Sequence, residues 1–233
     1  MSGRVHSGEG EGSPRDASRE TDGILLAGGR SSRMGFDKLS AKLGGEALIL
    51  RPYGALRSVC RSVLVVGGDP GLAPAGSQHV PDASGPYRGP LVGLASGLEH
   101  AGSPVVVALA GDLPFVGADL LRELVARVSG GALAAVPVHP ASSAGEPRNL
   151  HPLCAAYRTE ETRACAREAL EAGERSMRSL IHRLSRLGRV EYVSRELERF
   201  GDPDVFLMNV NTPEDLLRAE RLSGRTSLGT CAW

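Results

Sequence analysis

The stretch LLAGGRSSRMGFDKL, residues 25–39, concentrates groups that could hold an anion. Two leucines lead into it, glycines and serines fill it, and Arg30, Arg33 and Lys38 supply positive charge. Glycines without a Cβ let backbone N–H groups approach a ligand, and such donors beside cations form a nest for a polyphosphate. The common phosphate loops have a different grammar. A GxxxxGK[ST] loop puts lysine directly after its last glycine, whereas Phe36 and Asp37 separate Gly35 from Lys38. The GxGxxG fingerprint is missing too, because the glycines stand at 28, 29 and 35. On residue chemistry alone, a polyphosphate cradle competes with a glycine-rich turn carrying surface arginines.

A second group favours the cradle. PVVVALAGD (104–112) is continuously apolar, as the centre of a parallel sheet is, and it delivers Asp112 within LAGDLPF. Open α/β sheets bind ligands beyond the carboxyl ends of their strands, so Asp112 and the glycine-rich loop should share one edge. A carboxylate facing a polyphosphate is repulsive unless a cation lies between them. Mg2+, held by one or two carboxylates and by phosphate oxygens, removes the conflict. The competing reading makes Asp112 a turn or cap residue ahead of Pro114. A weaker group is VPDASGPYRGPLVGL (80–94), in which Asp82 follows a short strand and the glycines could admit a flat ligand such as a nucleobase.

These groups need a frame, and the hydrophobic pattern describes one. GILLAG (23–28), SVLVVGG (62–68), PVVVALAGD, GALAAVPV (131–138) and HPLCAAYR (151–158) read as strands, with RVEYVSREL as a late edge strand. ALILRPYGALRSV reads as a helix with Pro52 in its first turn, and GPLVGLASGLEHAG (89–102) carries Leu91, Leu94 and Leu98 at helical spacing. GADLLRELVARV (117–128), TEETRACAREALEAG and SMRSLIHRLSRL are further helices. In TPEDLLRAERL, Thr212 caps, Pro213 takes the first helical position and Asp215 completes a capping-box-like pattern. Such alternation predicts a three-layer α/β domain with a mostly parallel central sheet. Residues 1–21 are expected to form a disordered leader, 22–223 a single domain and 224–233 a flexible tail, with HPASSAGEPRN (139–149) a loop.

The composition limits the partners. Hydrophobic residues at 41% and aromatics at 4% describe a soluble protein with a core of Leu, Val and Ala, and the zero net charge removes the long-range pull towards nucleic acid or an anionic membrane. Arginine dominates the basic residues. Lys38 and Lys42 are the two lysines, so one inside the loop is hard to attribute to chance. Cys60, Cys154, Cys165 and Cys231 form neither a CxxC pair nor a Cys/His cluster, which predicts reduced thiols rather than zinc or disulfides. Without an apolar signal region or a run approaching ~18 apolar residues, the expected location is the cytoplasm.

LAGGRSSRMGFDKL, PDASGPYRGPLVGL, AGDLPF and NVNTPEDL together resemble the family of molybdenum cofactor guanylyltransferases, which are nucleotidyltransferases with a Rossmann-like fold. The resemblance spans residues 23–222. It implies Mg2+-dependent transfer of GMP from GTP to the terminal phosphate of molybdenum-molybdopterin, giving the guanine dinucleotide cofactor and pyrophosphate. It further implies transient contact with a cofactor-inserting protein or a molybdoenzyme. Carried onto this sequence, the nucleotide contacts fall on Leu26, Ala27, Gly28 and Gly29, with Lys38 on the phosphates, Asp82 on the guanine nucleotide and Asp112 as the magnesium ligand. Lys38, Arg33 and Asp112 are then the catalytic groups. The same resemblance sets Asn209 and Asn211 near the metal and the acceptor, with Asn211 the better candidate; turn chemistry is the competing reading. Arg175 and Arg178 in EAGERSMRSL would face the pterin substrate, and His151 packs or orients a loop. Where the family often has an asparagine after its second strand, this chain reads VVGGDP. Rival readings are a CTP-using pterin enzyme, a sugar-phosphate or phospholactate nucleotidyltransferase, and a non-catalytic pterin carrier.

Overall fold

Apolar residues fill positions 24–26 of β1 (Thr21–Leu26), 63–66 of β4 (Ser62–Val66) and all of β6 (Val105–Ala110), and burial on both sides of a sheet explains why. A computed structural model describes residues 20–28, 38–81, 89–139 and 150–228 of the chain. With β5 (Gln78–Val80), β7 (Ala134–Pro137), β8 (Cys154–Arg158) and β9 (Val190–Val193), the three strands form a seven-stranded sheet in the order β5-β4-β1-β6-β8-β7-β9. Ile24 at the centre lies between Leu64 and Ala108 in parallel register.

The pleat sends alternate residues to opposite faces. Leu25, Val65, Val107 and Leu109 meet Leu56 of α1 (Leu50–Arg57), Leu120 and Leu124 of α3 (Ala118–Ser129), and Ala219 of α7 (Pro213–Leu228). Ile24, Val66, Val106 and Ala108 meet Leu91, Leu94 and Leu98 of α2 (Pro90–His100), Ala166 of α4 (Thr159–Glu171), and Leu180 and Leu184 of α5 (Met177–Leu187). Three layers result, as the alternation of elements predicts.

The sheet departs from a simple parallel arrangement at β8, which runs antiparallel to both β6 and β7. A parallel neighbour of β7 needs a crossover, usually a helix. The sequence between β7 and β8 is rich in Pro, Ser and Gly rather than in helix formers, and Val138 bridges Leu150 in antiparallel fashion. A short ribbon of β2 (Lys42–Leu43) and β3 (Glu46–Ala47) turns through Gly44 and Gly45, whose φ angles of 65° and 90° suit glycine. The ribbon takes Ala47 from the helix expected there. That helix starts at Leu50, with Pro52 in its first turn. β9 lies at the sheet edge as anticipated, and α7 continues through Leu228, past the boundary expected at Ser223.

Two buried details carry testable stability. Gly97 on α2 faces β1 so closely that an added Cβ would stand 2.7 Å from Ile24 Cγ2 and 3.1 Å from Val66 Cγ2. Gly97→Ala gains up to about 1 kcal/mol of helix propensity, but overpacking against two β-branched side chains costs about 1–3 kcal/mol. The clash should win, and a urea midpoint no lower than the parent's would refute this close approach.

Asp22, buried at the start of β1, accepts hydrogen bonds from Ser62 Oγ at 2.6 Å and from the Gly102 and Ser103 N–H groups at 2.9 Å each. Burial pushes its carboxyl up, yet the bonds from Ser62, Ser103 and Gly102 outweigh burial and hold it below the usual range. Its stabilisation is therefore complete above the unfolded-state value of about 3.9 and is lost as pH falls through the lower folded value. Asp22→Ala should cost about 3 kcal/mol near neutrality, because two backbone donors lose their partner. The deficit should shrink in acid melts below pH 4, and a deficit independent of pH would disprove an ionised role.

Candidate active site

The carboxyl edge of the sheet is built from strand ends that share backbone hydrogen bonds. After β1, Ala27 N donates to Val66 O at 2.9 Å, and Gly111 N donates to Leu26 O at 3.0 Å. The β1, β4 and β6 ends are thereby laced together. Leu26 and Ala27 are buried, whereas Gly28 is exposed. Of these three expected nucleotide contacts, Gly28 is the one open to a ligand. Gly29, Arg33 and Asp82 lie outside the described residues.

Lys38 opens a single 3-10 turn, Lys38–Ser40, anchored by the buried Leu39. Leu39 can seat there because residue 111 is glycine: a Cβ at Gly111 would stand 3.1 Å from Leu39 Cδ2 and 3.2 Å from Leu26 O. The consequence is that Lys38 stands beside Asp112, the next residue after that glycine. Lys38 Nζ donates to Asp112 Oδ2 at 2.5 Å and to Asn211 Oδ1 at 2.9 Å. The ion pair is largely shielded, with side-chain exposures of 19% and 14%. Such shielding makes the charges matter more than on an open surface.

Asn211 arrives from the far end of the chain and is held by its neighbours. Val210 N donates to Asp112 O at 2.9 Å, which ties this segment to the end of β6. Asp215 Oδ2 then accepts from Asn211 N at 3.0 Å and Thr212 N at 2.9 Å, while Asp215 N donates to Thr212 Oγ1 at 3.1 Å. The reciprocal bonds are the capping box expected at the start of α7. Burial pushes the Asp215 carboxyl up, but the bonds from Asn211 and Thr212 prevail and hold it below the usual carboxylate range. Turn chemistry thus belongs to the Asn211 backbone, and its side chain is given to Lys38. Asn209 is exposed.

Asp112 does not cap a helix, since Gly117 occupies that position for α3. One of its oxygens faces Lys38; the other, Oδ1, is buried and has no hydrogen-bond partner among the described residues. A buried carboxylate oxygen left over beside a carboxamide oxygen is a donor set that suits a hard divalent cation such as Mg2+. The described residues contain no cluster of three His, Cys, Asp or Glu side chains able to hold a metal. Mg2+ has no need of one, because it usually keeps waters and binds through one or two carboxylates plus substrate phosphates.

The other expected residues make contacts of their own. Arg175 Nη1 donates to Leu170 O at 3.0 Å and Glu174 O at 2.7 Å, so its guanidinium turns back on the carboxyl end of α4. Its own carbonyl stands 3.8 Å from where a Cβ of Gly89 would be, so its backbone borders the entrance to α2. Arg178 is exposed in the first turn of α5, where its N–H donates to Ser176 Oγ at 3.1 Å. In VVGGDP, Gly67 and Gly68 have φ of 72° and 70°, and a Cβ at Gly68 would lie 2.8 Å from Ala27 O. No side chain fits at residue 68. Asp69 Oδ1 accepts from Gly71 N at 2.8 Å and so serves a local turn. His151 is held down to about 4 by burial and by neighbouring His139, so it is neutral at physiological pH. The thiols of Cys60 and Cys154 are buried and pushed up to about 12 by burial, which leaves them unreactive; Cys231 lies outside the described residues.

With a glycine-rich strand end, a lysine and a carboxylate converging on one edge, relatives become informative. The MobA-like NTP transferase domain matches residues 23–188. The chain belongs to that family. A probable molybdenum cofactor guanylyltransferase of Pelotomaculum thermopropionicum is 36% identical over 215 residues, 90% of this chain and 97% of the relative. A molybdenum cofactor guanylyltransferase of Mesorhizobium japonicum is 36% identical over 216 residues, 88% and 96% of the two chains. The crystal structure of molybdopterin-guanine dinucleotide biosynthesis protein A from Archaeoglobus fulgidus superposes with a TM-score of 0.71 at 25% identity, covering 88% of this chain and 99% of that one. The MobA-like chain is therefore an enzyme, a nucleotidyltransferase, and the pterin-carrier reading falls. Among its described residues no helix is long and apolar enough to cross a membrane.

Proposed function

We infer that this nucleotidyltransferase transfers GMP from GTP to the terminal phosphate of molybdenum-molybdopterin, releasing pyrophosphate. The observation that carries the reading is the meeting of Lys38, Asp112 and Asn211 at the carboxyl edge of β1 and β6, in a chain whose relatives bear the guanylyltransferase name. An oxygen of the pterin phosphate forms a bond to the α-phosphorus of GTP. The bond from that phosphorus to the α–β bridging oxygen breaks, and pyrophosphate leaves with the electron pair. The attacking phosphate is already anionic, so no side chain has to remove a proton.

The protein's task is alignment and neutralisation of charge. Lys38, held by Asp112 and Asn211 in the ligand-free protein, donates to phosphate oxygens once nucleotide is bound, and the backbone at Gly28 lines the approach. Mg2+, bound through Asp112, supplies positive charge to the nucleotide phosphates. Gly29, Arg33 and Asp82 complete the nucleotide contacts in this reading, and Asn209, Arg175 and Arg178 border the acceptor. We assign the reaction to the cytoplasm, where nucleoside triphosphates are available, with the product passed on through transient contact with a molybdoenzyme or its cofactor-inserting partner.

A second reading keeps the chemistry and exchanges the base. Glycines stand at 67–68 near the place where relatives of this kind often carry an asparagine, and no side chain fits at 68, which favours retaining CTP as an alternative donor. Pyrophosphate release is the deciding assay, run with Mg2+ and molybdenum-loaded molybdopterin against GTP, CTP, ATP and UTP in turn. Release with GTP alone supports guanylyl transfer. Release with CTP moves the protein to the cytidylyl reading, and no pterin-dependent release with any of them overturns the acceptor.

A further inference from the structure

Lys38 occupies oxygens that a divalent cation would also claim. Its ammonium lies 2.5 Å from Asp112 Oδ2 and 2.9 Å from Asn211 Oδ1, while the buried Oδ1 of Asp112 has no hydrogen-bond partner among the described residues. A carboxylate has lone pairs enough for both guests, but their charges do not share it easily. An ammonium and a dication on one carboxylate stand within about 4 Å of each other, in a shielded site where like charges repel strongly. The carboxamide oxygen of Asn211 adds to the conflict, since it is either turned to the lysine or given to the metal.

We propose that Lys38 is a competitor for the metal position, so that Asp112 and Asn211 accept a divalent cation tightly only once nucleotide phosphates have drawn the lysine away. The polyphosphate resolves the conflict from both sides. It gives Lys38 a new anionic partner, and it brings the cation further oxygen ligands. Metal and nucleotide then bind with positive coupling, and linkage requires that each strengthen the other by the same factor. Lys38 thereby has a role before the chemical step, in setting the order of assembly. The inference rests on Asp112 as the metal carboxylate, and its test separates the two.

Mn2+ is the probe, with its binding followed through the electron paramagnetic resonance signal of the free ion and no nucleotide present. Lys38→Met and Lys38→Gln remove the charge and keep a long stem, so one can stand in if the other fails to fold. Either should bind Mn2+ about tenfold or more tightly than the parent protein, as expected for removal of one close like charge. Lys38→Arg, which keeps the charge, should stay within about threefold of the parent. Folded Met and Gln variants that bind Mn2+ no tighter than the parent overturn the competition. If Asp112→Asn weakens Mn2+ binding in that case, the metal reading stands without it. If Asp112→Asn leaves Mn2+ binding unchanged in the parent and in Lys38→Met alike, the metal reading itself falls and takes the competition with it.

Discussion

Asp112→Ala should abolish Mg2+-dependent pyrophosphate release, lowering turnover by more than about a thousandfold. The carboxylate has one duty in the structure and a second in the proposed reaction, and alanine removes both. Oδ2 holds the ammonium of Lys38, and the buried Oδ1 is the oxygen available to a cation. The substitution ought to leave the fold intact. Asp112 is tied to the 208–212 segment through its backbone carbonyl, which accepts from Val210 N, and that bond does not involve the side chain. Circular dichroism and a thermal melt verify the fold, while single-turnover assays across a Mg2+ series measure the loss. Mg2+-dependent turnover within tenfold of the parent would remove Asp112 from the metal site.

Lys38→Ala should reduce turnover by about two to three orders of magnitude, the scale of losing one preorganised partner for transition-state charge. The loss should fall chiefly on kcat. Negative charge moves towards the departing pyrophosphate as the reaction proceeds, so a cation placed there contributes more in the transition state than in the substrate complex. Lys38→Arg is the informative control. A guanidinium keeps the charge but is broad and planar, and the lysine sits in a shielded notch between Asp112 and Asn211. Partial activity in the arginine variant with little in alanine would assign the effect to charge. Equal, full activity in both would take Lys38 out of the mechanism.

Some of this protein is written in short stretches of sequence. The apolar run of β6, the leucine spacing of α2, the proline in the first turn of α1 and the Thr212–Asp215 capping box all depend on residues a few positions apart. Local sterics and hydrophobic period decide such features before any distant contact forms. The candidate site was legible in part, because a glycine-rich loop with a lysine and a strand-end aspartate pointed to phosphate and metal, with a glycine-rich turn and a turn aspartate as the competing readings.

Tertiary structure decided what those groups do to one another. Lys38 meets Asp112 from 74 positions away and Asn211 from 173, and the meeting depends on β6 lying beside β1 and on Val210 docking on the end of β6. The antiparallel course of β8 had the same source, since an apolar strand reads alike in either direction and only its connection sets its sense. Gly111 shows the division most simply. In sequence it is one small residue before an aspartate, and in the fold its missing Cβ is the space into which Leu39 packs, setting Lys38 against Asp112. Residue type and spacing therefore determined which chemistry this protein could perform. The order of strands and the close packing at their ends decided which side chains would perform it together, because a contact between distant positions exists only when the whole sheet holds them there.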